Sequence, residues 1–228
     1  MSLYIVATPI GNLEDITLRA LRILKEADLI LAEDTRRTMK LLSHYNIKNK
    51  IDSFNDFNKK RKTPYVINLL KQNKDIAIVS DSGTPGISDP GFYLVRECIK
   101  NNIGVTPIPG ANSVISAIVA SGLATDKFSF FGFLPKKESQ KRKFLEKIKG
   151  RNETIIVFES PYRIKKTLEL MNEVIAGFRI VIAREITKKF EEFIRGNVKE
   201  VYALLKNKEI KGEIVLILNK SSKIEEDI

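Results

Sequence analysis

Residues Ile76–Gly91 read IAIVSDSGTPGISDPG, and FYLVRECIK continues the chain to Lys100. Ile76–Ser80 is a short apolar run of the kind that forms a strand buried on both faces. It passes into a loop carrying Gly83, Gly86 and Gly91 together with Pro85 and Pro90. Glycines remove the Cβ that would keep a ligand off the backbone, and prolines fix φ, so this loop is bare and stiff. The helical periodicity of FYLVRECI then carries the chain away. Strand, bare loop and helix in succession make one βα unit of an open α/β sheet, and ligands sit at the carboxyl ends of such strands.

Outward from this unit the pattern repeats. Leu3–Thr8, Leu29–Ala32 and Ile103–Ile108 are further strand candidates, with a weaker one near Ile51. Between them, Leu18, Leu21, Leu24 and Ala27 mark a helix face after an expected cap at Asp15. Met39, Leu41 and Leu42 mark a second helix, and Val66, Ile67, Leu69 and Leu70 a third. Alternation of this kind predicts a mostly parallel, doubly wound sheet. From Asn112 the pattern changes: ANSVISAIVASGL reads as a helix, FSFFGFLP as a strand, and Lys136–Lys149 carries seven Lys or Arg against two Glu. ETIIVFES, FRIVIARE, EEFIRG and EIVLIL follow as strands, with helical patterns over 164–175 and 198–206. Only ITKKF separates FRIVIARE from EEFIRG, which predicts a hairpin and therefore a mixed sheet. The expected organisation is two α/β domains, 1–112 and 113–220, and a polar tail over 221–228.

The 228 residues carry a net charge of +11, a field that draws polyanions such as nucleic acid. A single cysteine, Cys98, allows no intramolecular disulfide and suits a reducing, cytoplasmic setting. No apolar run is long enough for a membrane span. One histidine, His44, and one cysteine leave no zinc site and make a Ser-His-Asp or Cys-His system a poor fit.

Three loops leave strands with glycine or proline: TPIGN (8–12), SDSGTPGISDPG (80–91) and PIPGANS (107–113). None has the spacing of a dinucleotide fingerprint or a P-loop. Together they point to a shared pocket. AEDTRRT (32–38) follows the second strand; there Glu33 and Asp34 are candidate bases or acceptors, and Arg36 and Arg37 candidate phosphate contacts, on what is otherwise a capped helix start. Arg184, Glu185, Thr187, Lys188 and Lys189 form a similar cluster in the second half. KKRK (59–62) and Lys136–Lys149 could reach phosphates, and Phe54, Phe57 and Phe133 could stack on unpaired bases.

LYIVATPIGNLEDITLRAL, AEDTRRT, IVSDSGTPGISDPG, PGANS, FFGFLP, FESPYR, AREITKKFEEFIRG and KGEIVLI occur in this order over nearly the whole chain. The set resembles the bacterial 16S ribosomal RNA cytidine-2′-O-methyltransferases of the tetrapyrrole methylase fold. SDSGTPGISDPG and EDTRRT separate that branch from relatives that methylate corrin and porphyrin rings. The resemblance implies S-adenosylmethionine as donor in a cleft between two α/β domains, a homodimer, no metal, and a decoding-centre cytidine of the small ribosomal subunit as acceptor. It implies cofactor contacts from Pro9, Gly11, Ser82, Gly83, Thr84, Pro85, Ile87, Asn112 and Ser113, and from Glu159, Gly212 and Glu213. Proton removal from the 2′-hydroxyl is expected of Asp34 or Glu185, or of Lys188 if neutral, with Arg36 and Arg184 holding phosphate or the base edge. Two departures matter: Asn55–Lys59 stands where such sequences tend to read HEHNE, and Tyr162 where SPHR is common, so no histidine role carries over. Methylation of a small tetrapyrrole, or RNA binding without turnover, are the competing readings.

Overall fold

The computed structural model describes residues 2–87 and 91–220. Ser88, Asp89 and Pro90 of the glycine-rich loop and the tail expected over 221–228 lie outside the described residues. The chain divides into two compact units, Met1–Asn112 and Ser113–Ile228.

The first unit runs β1 (Leu3–Val6), α1 (Leu18–Glu26), β2 (Leu29–Ala32), α2 (Thr35–His44), β3 (Ile51–Ser53), α3 (Lys59–Lys71), β4 (Ile76–Val79), α4 (Gly91–Lys100) and β5 (Val105–Ile108). Its strands are all parallel, in the order β3-β2-β4-β1-β5. Every residue of β4 is buried, as a central strand covered on both faces requires. Ala20, Ile23, Leu24 and Leu42 of α1 and α2 pack with Val6, Ile30 and Val79 on one face. Val66, Leu70, Leu94 and Cys98 of α3 and α4 pack with Ile5, Leu31 and Ile78 on the other. Phe54 joins that second core at 1% exposure, so it is unavailable for the base stacking considered for it.

One helix start differs from expectation, and a short polar side chain decides it. Asp15 does not cap α1; it ends a 3-10 turn at Leu13–Asp15, and Thr17 Oγ1 accepts from the Ala20 amide at 3.1 Å to start the helix. Asn46, Asn73 and Asn102, at φ +54°, +62° and +55°, close α2, α3 and α4. In each case the next residue donates back into the last turn: Ile47 to Leu42 O at 2.9 Å, Lys74 to Leu69 O at 3.2 Å and Ile103 to Cys98 O at 3.0 Å. Asparagine tolerates the left-handed region that this stop needs.

The second unit contains α5 (Ser113–Val119), β6 (Phe128–Phe133), α6 (Glu138–Ile148), β7 (Thr154–Glu159), α7 (Ile164–Ile175), β8 (Phe178–Arg184), β9 (Glu192–Asn197), α8 (Val198–Leu205) and β10 (Ile214–Lys220). Helix α5 is shorter than the sequence suggested. Ser121 Oγ donates to Ile118 O at 2.7 Å and accepts from the Leu123 amide at 3.0 Å, drawing the chain out of the helix. The sheet order is β6-β7-β10-β8-β9. β6 runs parallel to β7, and the other pairs are antiparallel, the β8–β9 hairpin included. Leu145, Leu168, Met171, Val201 and Leu205 of α6, α7 and α8 cover one face through Ile155, Val157, Ile182 and Leu216. Both α/β units thus match the expected parallel and mixed sheets.

Candidate functional site

Parallel strands place all their carboxyl ends on one edge of the first unit. The chain leaving β1 crosses to β2 by way of α1, while the chain leaving β4 crosses to β5 by way of α4 on the opposite face. β1 and β4 are neighbours, so their exits diverge and leave a crevice between them, where an open α/β sheet takes its ligand.

The exits are tied to each other at the backbone. Thr8 N donates to Gly83 O at 2.9 Å and Gly83 N to Thr8 O at 3.0 Å, a two-bond bridge beyond the regular ladder. Thr8 Oγ1 donates to Ser80 O at 3.3 Å, and Thr84 Oγ1 to Ala111 O at 3.3 Å, which brings in the loop after β5. Gly83 sits at φ +78°, where a Cβ would come within 3.3 Å of Ile10 Cγ2. Gly110 is closer still: a Cβ there would stand 2.9 Å from Ala7 Cβ. Residues 8–12, 80–87 and 107–112 therefore meet as three bare backbone segments, with Pro9, Gly11, Ser82, Gly83, Thr84, Pro85 and Ile87 all on two of them and Asn112 at the end of the third. Ser113 opens α5 of the other unit.

A cavity of about 170 Å³ lies beside this junction, lined by Thr8, Pro9, Ser80, Asp81, Arg37 and Lys40 among others. It is smaller than the roughly 300–1,000 Å³ of pockets that enclose whole small molecules, so it suits one polar group of a larger ligand. Lys40 stands outside the segments singled out from the sequence, while Thr8 and Asp81 lie in two of the loops singled out there without a role of their own. The signal for Asp81 was present, since it is the second residue past the last residue of β4 in SDSG.

The acidic residues at this edge have different environments. Asp34 caps α2: its Oδ1 accepts from the Arg36 amide at 2.9 Å, and its Oδ2 pairs with Arg36 Nη2 at 2.6 Å. That guanidinium and amide hold the Asp34 carboxyl well below the usual carboxylate range. Arg36 is thus engaged, while Arg37 Nε stands 3.6 Å from Asp81 Oδ2 and borders the cavity. Asp81 Oδ1 also accepts from the Asp34 amide at 2.9 Å. Glu33 behaves oppositely. Burial is the largest influence on it and raises its pKa, the amide of Asp81 opposes that, and the charges of Asp81 and Asp56 add to the rise.

In the second unit, the pairing of Arg184 with Ile214 across β8 and β10 brings Glu185, Lys188, Gly212 and Glu213 together. Glu185 N donates to Glu213 O at 3.0 Å, and Glu213 N to Glu185 Oε1 at 2.9 Å. Lys188 Nζ lies 2.9 Å from Glu185 Oε1 and 3.0 Å from Glu213 Oε2. Burial disfavours the Lys188 charge, but these two carboxylates outweigh it and raise its pKa, so the neutral lysine considered as a base is not what the structure holds. The Glu213 amide, and after it the Lys188 ammonium, hold Glu185 below the ordinary glutamate value against its burial. Arg184 is occupied by Glu192 at 2.6 Å and by Lys211 O at 2.8 Å. Glu185 itself lies at φ +50°, a strained setting for a residue with a Cβ. Gly212, at φ +91°, leaves the space its side chain fills: a Cβ there would stand 2.3 Å from Glu185 Cγ. Gly212→Ala is expected to expel the Glu185 carboxylate, separate it from Lys188 and cost about 1–3 kcal/mol in urea unfolding; unchanged stability would mean the turn relaxes freely.

Glu159, expected to touch a cofactor, has its carboxylate built into the interior. Its side chain is fully buried; Oε1 takes the Ser160 amide at 2.7 Å and Arg163 Nη2 at 2.6 Å, and Oε2 takes Thr167 Oγ1 at 2.7 Å and Lys141 Nζ at 3.1 Å. Four donors fill the roughly four acceptor positions of a carboxylate. The same pairing removes Lys141, 5% exposed, from the candidate phosphate contacts of its segment.

Residues 2–202 match the family model of the Tetrapyrrole (Corrin/Porphyrin) Methylases. The chain is 49% identical over 217 residues to "Ribosomal RNA small subunit methyltransferase I" of Thermotoga maritima, covering 95% of this chain and 97% of that one. A protein of the same name from Halalkalibacterium halodurans is also 49% identical, covering 95% of this chain and 75% of the relative. Among solved structures, diphthine synthase superposes with a TM-score of 0.70 at 12% identity, covering 98% of this chain and 92% of that chain. Uroporphyrin-III C-methyltransferase from Thermus thermophilus, complexed with S-adenosyl homocysteine, gives 0.65 at 18% identity, covering 96% and 98%. At such identities these two structures speak to the fold alone.

Proposed function

Because the chain belongs to the tetrapyrrole methylase family, we propose that it is a methyltransferase that moves a methyl group from S-adenosylmethionine to small-subunit ribosomal RNA, at the 2′-oxygen of a cytidine. The observation that carries this is identity of 49% to the Thermotoga maritima relative bearing the ribosomal RNA name, across almost the entire length of both chains. The net charge of +11 favours a polyanionic acceptor over a small tetrapyrrole. Among the described residues no group of three or more His, Cys, Asp or Glu side chains could hold a metal ion.

The three bare segments fit a donor seated at a main-chain junction, since glycine at Gly83 and Gly110 lets the loops close on Ile10 and Ala7 where a Cβ would hold them apart. Pro9, Gly83 and Thr84 would line that seat. S-adenosylmethionine supplies a methyl group on a sulfonium, already activated for displacement. What remains for the protein is alignment of the ribose oxygen with that carbon, worth much of the rate, and removal of the hydroxyl proton. Arg37 and Lys40 border the cavity with positive charge suited to the neighbouring phosphate. Asp34 and Glu185 are held ionised by paired cations or amides and are weak proton acceptors. Glu33 takes the amide of the cavity-lining Asp81 on its Oε2 at 3.3 Å, and burial raises its pKa; it is the stronger base beside the cavity, and we assign proton removal to it.

Incubation with methyl-labelled S-adenosylmethionine tests the reading. Label is expected in small-subunit RNA, resistant to alkaline cleavage at one cytidine because the 2′-oxygen is blocked. Label in uroporphyrin instead, or donor binding with no transfer to either, would overturn it.

A further inference from the structure

We propose that Phe57, with Lys60, Arg61 and Tyr65, forms a stacking surface for an unpaired nucleotide beside the methylated one; this rests on the ribosomal RNA reading above. Phe57 is fully exposed at 101%, in the turn between β3 and α3, and Tyr65 is 54% exposed one helical turn beyond Arg61. A free aromatic ring on a mobile loop would mean little. This turn is fixed from both ends: Asn55 N donates to Asn58 Oδ1 at 2.9 Å, Phe57 N to Asn55 Oδ1 at 3.2 Å, and Asn58 Nδ2 to Ser53 Oγ at 3.1 Å. The ring is held out into water, where its apolar area gains nothing for the fold.

Charge identifies the occupant. The two acidic residues nearby are already matched, Asp56 by Lys59 at 2.6 Å and Asp52 by Lys62. Lys60 and Arg61 have no ion-pair partner among the described residues, and both are exposed. Two unmatched cations between two exposed rings suit a strand that offers both phosphates and flat bases, as single-stranded RNA does. A second copy meeting this face with its own would set Lys60 and Arg61 against like charges.

Position supports the same reading. β3 runs parallel beside β2, with Ser53 opposite Ala32, so the turn opens on the edge that carries Glu33 and Asp81. Asp56 is close enough for its charge to be felt at Glu33. β3 lies two strands from β4, about 10 Å at the usual spacing, a distance suited to a nucleotide flanking the target.

The test uses full-length protein and a fluorescein-labelled RNA stem-loop with an unpaired, cytidine-containing loop. Phe57→Ala should weaken binding about tenfold and raise the RNA KM similarly, with kcat and donor affinity unchanged, while Phe57→Tyr restores it. Lys60→Ala and Arg61→Ala should each lower the slope of log affinity against log salt by about 0.7. Unchanged RNA affinity in Phe57→Ala overturns the proposal, as does a change in sedimentation alone, which would assign the face to a second copy. Wild-type protein that shows this Phe57 dependence but incorporates no methyl would overturn the transfer reading and leave the stacking surface standing.

Discussion

In single-turnover assays, Glu33→Gln is expected to transfer methyl about 10²-fold more slowly than wild type with donor affinity unchanged, the lower end of what a general base contributes. The substitution keeps an acceptor for the Asp81 amide, at 3.3 Å, and removes only the proton affinity. The pH profile carries the sign. A base works deprotonated, so the wild-type rate should climb as pH passes Glu33's folded pKa, which lies above the ordinary glutamate value because of burial. The same shift makes the folded state bind the proton more tightly than the unfolded chain. Any stability it confers is therefore present at low pH and lost as pH rises through the folded value, so Glu33→Gln should not destabilise the protein near neutrality. Loss of folding there would point to a structural role. A full rate in Glu33→Gln beside a slow Asp34→Asn would return the base to Asp34.

Glu159→Ala should remove about 3–5 kcal/mol of stability, the usual cost of leaving a buried charge without its partner. Lys141, with 6% side-chain exposure, would lose its only ion-pair partner among the described residues, and Thr167 and Ser160 would each lose an acceptor. Against a total of about 5–15 kcal/mol for a typical domain, that is a large share. Urea unfolding gives the measurement, and Glu159→Gln, which keeps acceptors for Ser160 and Thr167, should lose less. If Glu159 instead held the donor, Glu159→Ala would keep its midpoint and lose S-adenosylmethionine affinity.

Much of the fold could be read from apolar runs and their spacing. Ile76–Val79 and Leu29–Ala32 are strands because unbroken apolar stretches of that length need cover on both faces. Helix ends were less legible, since Thr17, Ser121 and the three asparagines act through single side-chain or left-handed backbone choices that periodicity does not register. The candidate site divides the same way. Glycines at 83, 86 and 110 announce a bare loop junction in the letters themselves. The ionisable residues do not announce their roles: Glu159, Lys188 and Arg36 looked available in sequence, and each turns out to be committed to a partner brought near by strand register or a local turn. Lys40 acquires meaning only when β4 lies next to β2.

The Thr8–Gly83 bridge also makes the amide groups of these two residues gauges of occupancy. Neither can exchange its hydrogen with solvent unless two loops part together, so both should report one shared opening event. A ligand seated across the junction would slow that event for the pair, and deuterium uptake at these two positions would register its arrival before any chemistry begins.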